Sequence, residues 1–156
     1  MSLHRTTFAS PIGELTVTSD GQAVTGLYME DHGPSLADHE PVEDAVLAAA
    51  RRQLSEYFAG ERREFELPLR PRGTPFQWEV WAALRTIGYG ETVSYGELAA
   101  QLGRPSAARA VGLANGRNPI SIVVPCHRVI GADGALTGYG GGIARKRFLL
   151  ELESAL

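Results

Sequence analysis

Cys126 is the only cysteine in a chain of 156 residues. It stands in the run Ile-Val-Val-Pro-Cys-His-Arg-Val at residues 122–129. A lone thiol makes no internal disulfide and lacks the partner cysteines that most structural zinc sites need. Two readings are open: a small packed hydrophobe, or a nucleophile. His127 supports the second, because an imidazole near a thiol can take its proton and leave the reactive thiolate. Neighbours in an extended chain point to opposite sides. Contact between the two therefore needs a turn or a bridging water, and a carboxylate to orient the ring.

Two further stretches carry chemistry. The run Thr137-Gly138-Tyr139-Gly140-Gly141-Gly142 exposes backbone amides beside one aromatic ring. It lacks the spacing and the Lys-Ser/Thr of a P-loop, which leaves a cradle for a flat ring with Tyr139 as its wall. The run from Ala107 to Asn115 is almost bare of long side chains: Ala108, Ala110 and Gly112 flank a single Arg109. A major-groove recognition helix needs long polar side chains to reach base edges. Small residues let a backbone approach another surface closely. That surface is either a packed neighbouring helix or the floor of a minor groove, with Arg109 long enough to enter the base stack.

The elements that must position these residues follow from local signals. Leu15 and Val17 alternate with polar residues, Asp20-Gly21 is a hairpin turn, and Val24, Leu27 and Met29 follow. Residues 31–41 read as a polar loop. Residues 43–58 read as a helix with Leu47, Ala50, Leu54 and Tyr57 on one face. Residues 64–67 alternate like a short strand, and residues 70–74 read as a link between two lobes. Thr74-Pro75-Phe76-Gln77 and Ser94-Tyr95-Gly96-Glu97 are capping boxes that open two helices, the first with Trp78, Trp81, Ala82 and Arg85 on a mixed face. After the break Gly103-Arg104-Pro105, Ser106 is expected to cap a third helix, completing a helix-turn-helix. The apolar residues 120–124, bracketed by Pro119 and Pro125, are expected to form a buried strand. Residues 143–152 are expected to form a closing helix, with Ala144, Phe148 and Leu152 inward and Arg145-Lys146-Arg147 solvated.

Composition is that of a globular protein, 44% apolar and 21% charged. No apolar run approaches the ~20 residues of a membrane span. The start has no basic-then-apolar signal pattern. With one free cysteine, a reducing cytoplasm is the expected location. The net charge is −3, but it is segregated: residues 85–149 hold eight basic and three acidic side chains. A polyanion could bind that half and be repelled by the rest; a chance distribution is the alternative.

Pro125-Cys126-His127-Arg128-Val129, preceded by Asn115-Gly116-Arg117-Asn118-Pro119 and followed by Tyr139 and the glycine loop, resembles the O(6)-alkylguanine-DNA alkyltransferases. These are the methylated-DNA–protein-cysteine methyltransferases. The resemblance is dense from about Phe76 to Glu153 and looser before it. It implies an α+β fold: a small ribonuclease-H-like strand and helix lobe over residues 1–70, then a mainly helical, DNA-binding and alkyl-accepting domain over residues 71–156. It implies direct-reversal repair: alkylguanine is flipped from duplex DNA through the minor groove, and its alkyl group passes irreversibly to Cys126 in a single turnover. His127 would deprotonate Cys126 through a water, Glu153 would orient His127, Asn118 would support that network, and Tyr95 would protonate the leaving guanine. Arg109 would fill the vacated stack, with Ala108, Ala110, Gly112 and Ser94 against the DNA. Tyr139, Gly140, Val129 and Ser121 would line the base pocket.

Family members often carry proline where this chain has Ser121, and some have serine at the position of Gly140, which bears on pocket width. Some bind zinc in the first lobe. Here that lobe offers only His4, His32 and His39, so no metal and no cofactor are expected. A monomer is expected, with cooperative binding on DNA an open question. Two rivals are a damage-sensing module that binds alkylguanine without chemistry, and a thiol hydrolase built on Cys126, His127 and Glu153.

Overall fold

The computed structural model describes residues 2–30 and 32–154. The chain divides into two compact units, Met1–Arg72 and Gly73–Leu156.

In the first unit, β1 (His4–Ser10), β2 (Gly13–Ser19) and β3 (Val24–Met29) form an antiparallel sheet in the order β1-β2-β3. The expected Asp20-Gly21 turn joins β2 to β3: the Asp20 carboxylate accepts the amides of Gln22 and Ala23, both at 2.9 Å. Helix α1 (Ala45–Phe58) packs on the sheet. Its N-cap is Asp44, whose side chain accepts the Leu47 amide at 2.8 Å. Leu47, Ala50, Leu54 and Tyr57 are buried as the spacing predicts, together with Leu15, Val17, Val24, Leu27 and Met29 of the sheet. Residues 32–41 form the expected loop, pinned where Glu40 bridges His4; Asp31, at its start, lies outside the described residues.

Residues 64–67 are not a strand. The Gln53 side chain takes the place of a neighbouring strand, donating to the Glu66 carbonyl at 3.1 Å and accepting the Glu66 amide at 2.8 Å. The chain joins the sheet only beyond it: the Val24 amide donates to the Pro68 carbonyl, and the Arg70 amide to the Val24 carbonyl, both at 2.8 Å.

The second unit holds α2 (Pro75–Leu84), β4 (Val93–Ser94), α3 (Tyr95–Gln101), α4 (Ala108–Gly116), β5 (Val129–Ile130) and α5 (Ile143–Leu152). Both expected capping boxes form, Thr74 with Gln77 and Ser94 with Glu97. The third cap does not. α4 starts from Ala107 with no side-chain cap, and Ser106 lies one residue too early. In α2 the buried face is Val80, Trp81, Ala83 and Leu84, while Trp78 is exposed. The Trp81 indole donates to the Ala114 carbonyl at 2.9 Å and so ties α2 to α4. Val111, Ala114 and Asn115 are the buried residues of α4.

Two expectations fail close to the cysteine. Residues 120–124 form a turn, not a strand. Their burial does not alternate, so neither face is left for solvent, and the Asn118 side chain captures the backbone that a sheet would have used. It accepts the Ile120 amide at 2.9 Å and donates to the Val124 carbonyl at 2.7 Å. In that turn Ile122 takes φ +71°, rare for a β-branched residue and costing on the order of 1–3 kcal/mol. The register of α5 also differs. Lys146, Leu149 and Leu150 point inward, and Phe148 is 37% exposed. The two leucines have the larger apolar demand on that face, and Lys146, one turn before Leu150, is carried inside with them.

Candidate active site

The turn at residues 118–124 delivers the chain to Pro125, and Cys126–Arg128 form a single 3-10 turn. The Arg128 amide closes it on the Pro125 carbonyl at 3.0 Å, and the Val129 amide returns to the Cys126 carbonyl. β5 then pairs in parallel with β4, Val93 opposite Val129 and Ser94 opposite Ile130. Ser94 is also the cap of α3. The cysteine turn and Tyr95, the first residue of α3, are therefore set by one short ladder.

Cys126 is 5% exposed and His127 is fully buried. The imidazole Nε2 lies 2.8 Å from Glu153 Oε2, where the chain leaves α5. Arg128 grips the same carboxylate through two guanidinium nitrogens, at 2.9 and 3.0 Å, and donates to the Ile87 carbonyl at 2.6 Å. The Gly90 amide adds a contact at 3.3 Å. With Nε2 donating to Glu153, Nδ1 is left unprotonated, and it has no hydrogen-bond partner among the described residues. The arrangement presents a buried base next in sequence to the sole thiol. The 3-10 turn supplies the bend that the adjacent Cys-His pair required.

Burial sets the resting charges. It pushes the Cys126 thiol up, and this outweighs the opposing hydrogen bond from Asn118 and the positive charge of Lys146. It pushes His127 down, outweighing the pull of Glu153 in the other direction. The thiol and the imidazole are thus both neutral at rest. Tyr139 is buried, its hydroxyl without a partner among the described residues; burial, then the nearby Cys126, hold it well above the ordinary phenol value.

The other expected site residues fall into two groups. Tyr95, Val129, Ser121, Tyr139 and Gly140 belong to the segments around the cysteine turn. The Tyr95 hydroxyl donates to the Thr137 carbonyl at 3.0 Å, and a Cβ on Gly138 would stand 3.1 Å from it, so glycine with φ +65° lets the loop pass. On α4, Arg109 and Ala110 are exposed and Ala108 is half-buried. No hydrogen bond or ion pair of Arg109 occurs among the described residues. A Cβ on Gly112 would rest 3.4 Å from the Tyr95 ring, an ordinary packing contact. Ser94 spends its hydroxyl on the Glu97 amide at 3.0 Å.

Sequence reasoning missed four residues. Arg128 was read only as part of a motif. Asn115 is buried with Nδ2 3.5 Å from the Cys126 carbonyl. Leu113 is 56% exposed on α4, four residues from Arg109. Lys146, placed in a solvated run, is fully buried and donates to the carbonyls of Val129 and Thr137 at 2.6 and 2.7 Å. The spacing Lys146, Leu149, Leu150, Glu153 is a helical face and could have shown it. Among the described residues no group of three or more His, Cys, Asp or Glu side chains is placed to hold a metal. No helix among them is long and apolar enough to cross a membrane.

The chain is similar to known proteins over nearly its whole length. The family model for the 6-O-methylguanine DNA methyltransferase DNA binding domain matches residues 75–155, and that for the ribonuclease-like domain of the same methyltransferases matches residues 3–71. A methylated-DNA–protein-cysteine methyltransferase of Mycobacterium tuberculosis is 57% identical over 98% of this chain and 93% of its own length. One from Haemophilus influenzae is 47% identical over 97% and 87%. The crystal structure of M. tuberculosis OGT in complex with DNA superposes with a TM-score of 0.92 at 58% identity, covering 97% of this chain and 93% of that one. A Methanococcus jannaschii O6-methylguanine DNA methyltransferase does so at 0.67 and 26%, covering 96% and 93%. The chain belongs to the 6-O-methylguanine DNA methyltransferase family.

Proposed function

We propose that this protein repairs DNA by moving the alkyl group of O(6)-alkylguanine onto Cys126, once per molecule. The observation that carries the reading is His127: Nε2 locked on Glu153, Nδ1 unpartnered, and the only thiol of the chain one residue away. A water between Sγ and Nδ1 passes the thiol proton to His127. Glu153 stabilises the imidazolium that results, and Asn118 holds the turn that aims the sulfur. The thiolate attacks the alkyl carbon, the carbon–O6 bond breaks, and the electron pair leaves with guanine, which takes a proton from Tyr95. The product is a thioether, which water does not readily displace, so each molecule acts once.

A base inside a duplex cannot reach a buried thiol, so the target is flipped out. α4 lies along the minor groove with Ala108, Ala110 and Gly112 close to the backbone and Arg109 in the vacated stack, while Ser94 meets a phosphate. Tyr139, Gly140, Val129 and Ser121 line the base pocket. In this reading residues 71–156 form the DNA-binding and acceptor domain, and the partner is double-stranded DNA. Relatives named as methylated-DNA–protein-cysteine methyltransferases, one of them crystallised with DNA, support the same assignment. The protein works as a monomer without cofactor or metal, in a bacterial-type cytoplasm on the nucleoid.

Incubation with a duplex carrying one O(6)-methylguanine, followed by intact-mass measurement, tests this. One added methyl per chain, mapped to Cys126, is the expected plateau. Continued turnover would mean a hydrolase, and tight binding without mass gain would mean a damage sensor.

A further inference from the structure

Lys146 is the one ionised group in the buried cluster that the alkyl-transfer reading leaves without a task. Taking an ammonium out of water costs several kcal/mol unless it is paired and fully hydrogen-bonded. An ammonium has three protons to place. Two go to the carbonyls of Val129 and Thr137, at 2.6 and 2.7 Å, and the third has no acceptor among the described residues. Among the described residues no carboxylate pairs with it, and Glu153 is held by His127, Arg128 and the Gly90 amide.

Charge counting within the cluster then has one outcome. Arg128 and Lys146 are positive, Glu153 is negative, and Cys126, His127 and Tyr139 are neutral at rest. One buried positive charge is unbalanced. A thiolate at Cys126 would stand against that charge, and the proton it gives up stays in the cluster on His127, whose imidazolium is paired with Glu153. The positions agree: Lys146 bonds the carbonyl of Val129, whose own amide closes the turn onto the Cys126 carbonyl. Its other carbonyl, on Thr137, is shared with the Tyr95 hydroxyl.

We propose that Lys146 is a positioning residue of the acceptor site, clamping the cysteine turn to the start of the glycine loop and supplying the buried positive charge against which the Cys126 thiolate forms. This rests on the alkyl-transfer reading for its purpose, but its test does not need DNA. In the step it serves, the thiol proton goes to His127 through water and the negative charge stays on Sγ, with Lys146 protonated throughout. The groups that act on Cys126 are Asn118, as a hydrogen-bond donor, Lys146 from α5 and Tyr139 from the loop, with His127 next to it in the turn. Because burial keeps His127 low, it is already neutral where the thiol titrates.

The experiment measures the rate of Cys126 alkylation by iodoacetamide against pH, for the wild type and for Lys146→Met, which keeps the apolar stem. The expected result is a midpoint raised by about one pH unit or more, hence a rate at least about tenfold lower below both midpoints, with a similar limiting rate at high pH. A purely structural lysine would change the rate at every pH and leave the midpoint in place, which overturns the proposal. Should Lys146→Met not fold, the wild type and Cys126→Ala answer instead. With lysine labelled by nitrogen-15, the Lys146 Nζ resonance is expected to shift with the same midpoint as alkylation, and not to shift in Cys126→Ala. A resonance indifferent to Cys126 overturns it. Failure of methyl transfer from DNA, with the midpoint shift intact, would remove the repair reading and leave the role of Lys146 standing.

Discussion

The two units treat charge in opposite ways. In the first, carboxylates serve backbone turns, Asp20 buried and Asp44 partly so. Asp20 accepts two turn amides and pairs with Arg70, whose side chain is half exposed. Asp44 caps α1 and takes His4 and the Ser19 hydroxyl, all at the margin of the sheet. In the second, Glu153, His127 and Lys146 are completely buried and Arg128 nearly so. Surface ion pairs contribute about 0–1 kcal/mol and buried ones can cost more than they return. Charges at the margin are explained by the turns they close. Charges in the core, arranged around a free ring nitrogen and a thiol, are explained by chemistry.

That contrast can be broken by substitution. The largest effect expected is from Cys126→Ala: methyl uptake falls to zero by intact mass, while binding to DNA survives. A methyl found elsewhere on the variant would move the acceptor. Next is Glu153→Gln, which leaves Arg128 buried without its counter-charge. Loss of one partner of a buried pair costs about 3–5 kcal/mol, so chemical denaturation should show a drop of that order, and transfer should slow by about 10²-fold or more with the general base misoriented. A variant as stable as the wild type would mean the network is not the buried structure described here.

Arg109→Ala sharpens the comparison inside the second unit, because Arg109 is exposed and unpaired where Arg128 is locked. If it fills the stack, its loss removes support worth on the order of a few kcal/mol for the flipped state. Repair of duplex DNA should slow strongly, while reaction with free benzylguanine stays near the wild-type rate. Equal loss on both substrates would place Arg109 in the fold or the pocket. Gly112→Glu is a poorer probe of the same surface, since its side chain would start in contact with the Tyr95 ring and mix a local packing change with any effect on DNA. Ala110 and Leu113, both exposed, are the cleaner positions.

Acid separates the units by pH window. His127 has a folded-state pKa below its unfolded value, so the unfolded chain binds the proton more readily. Stability from this group is full above about pH 6.5 and falls as pH drops below it. Asp20 and Asp44 are lowered too: burial raises them, but their hydrogen bonds outweigh it. Their contribution is present above about pH 4 and is lost only as pH falls through the folded values. Denaturation monitored by Trp78 and Trp81, both in the second unit, should therefore weaken between pH 6.5 and 5. If stability in that interval is flat, the imidazole is not buried neutral. The smallest effect is expected from Glu43→Gln, which removes a surface pair with Arg51 and should change stability by less than about 1 kcal/mol.

Much of this was legible in residue order because its causes are local. A capping box needs Thr74 and Gln77, or Ser94 and Glu97, three residues apart, and nothing else. The Asp20 turn closes on its own next amides, and the face of α1 follows from helical spacing. The adjacent Cys126 and His127 pointed to a thiol and a base for the same reason, although adjacency alone did not settle which way the two side chains point.

What tertiary structure decided has its cause at a distance. Residues 120–124 are β-prone, yet beyond a single bridge residue at Ile120 they form a turn, and Asn118 takes their backbone instead. Gln53 does the same to residues 64–67 from thirteen residues away. Residue order offered several carboxylates for His127, the family resemblance implied Glu153, and neither showed that Arg128 would share it. Nor did residue order show that Lys146 would be drawn inside, with no carboxylate paired to it among the described residues. Hydrogen-bond partners and burial are set by which segments the fold packs together, and propensity, being a property of one segment, does not contain them.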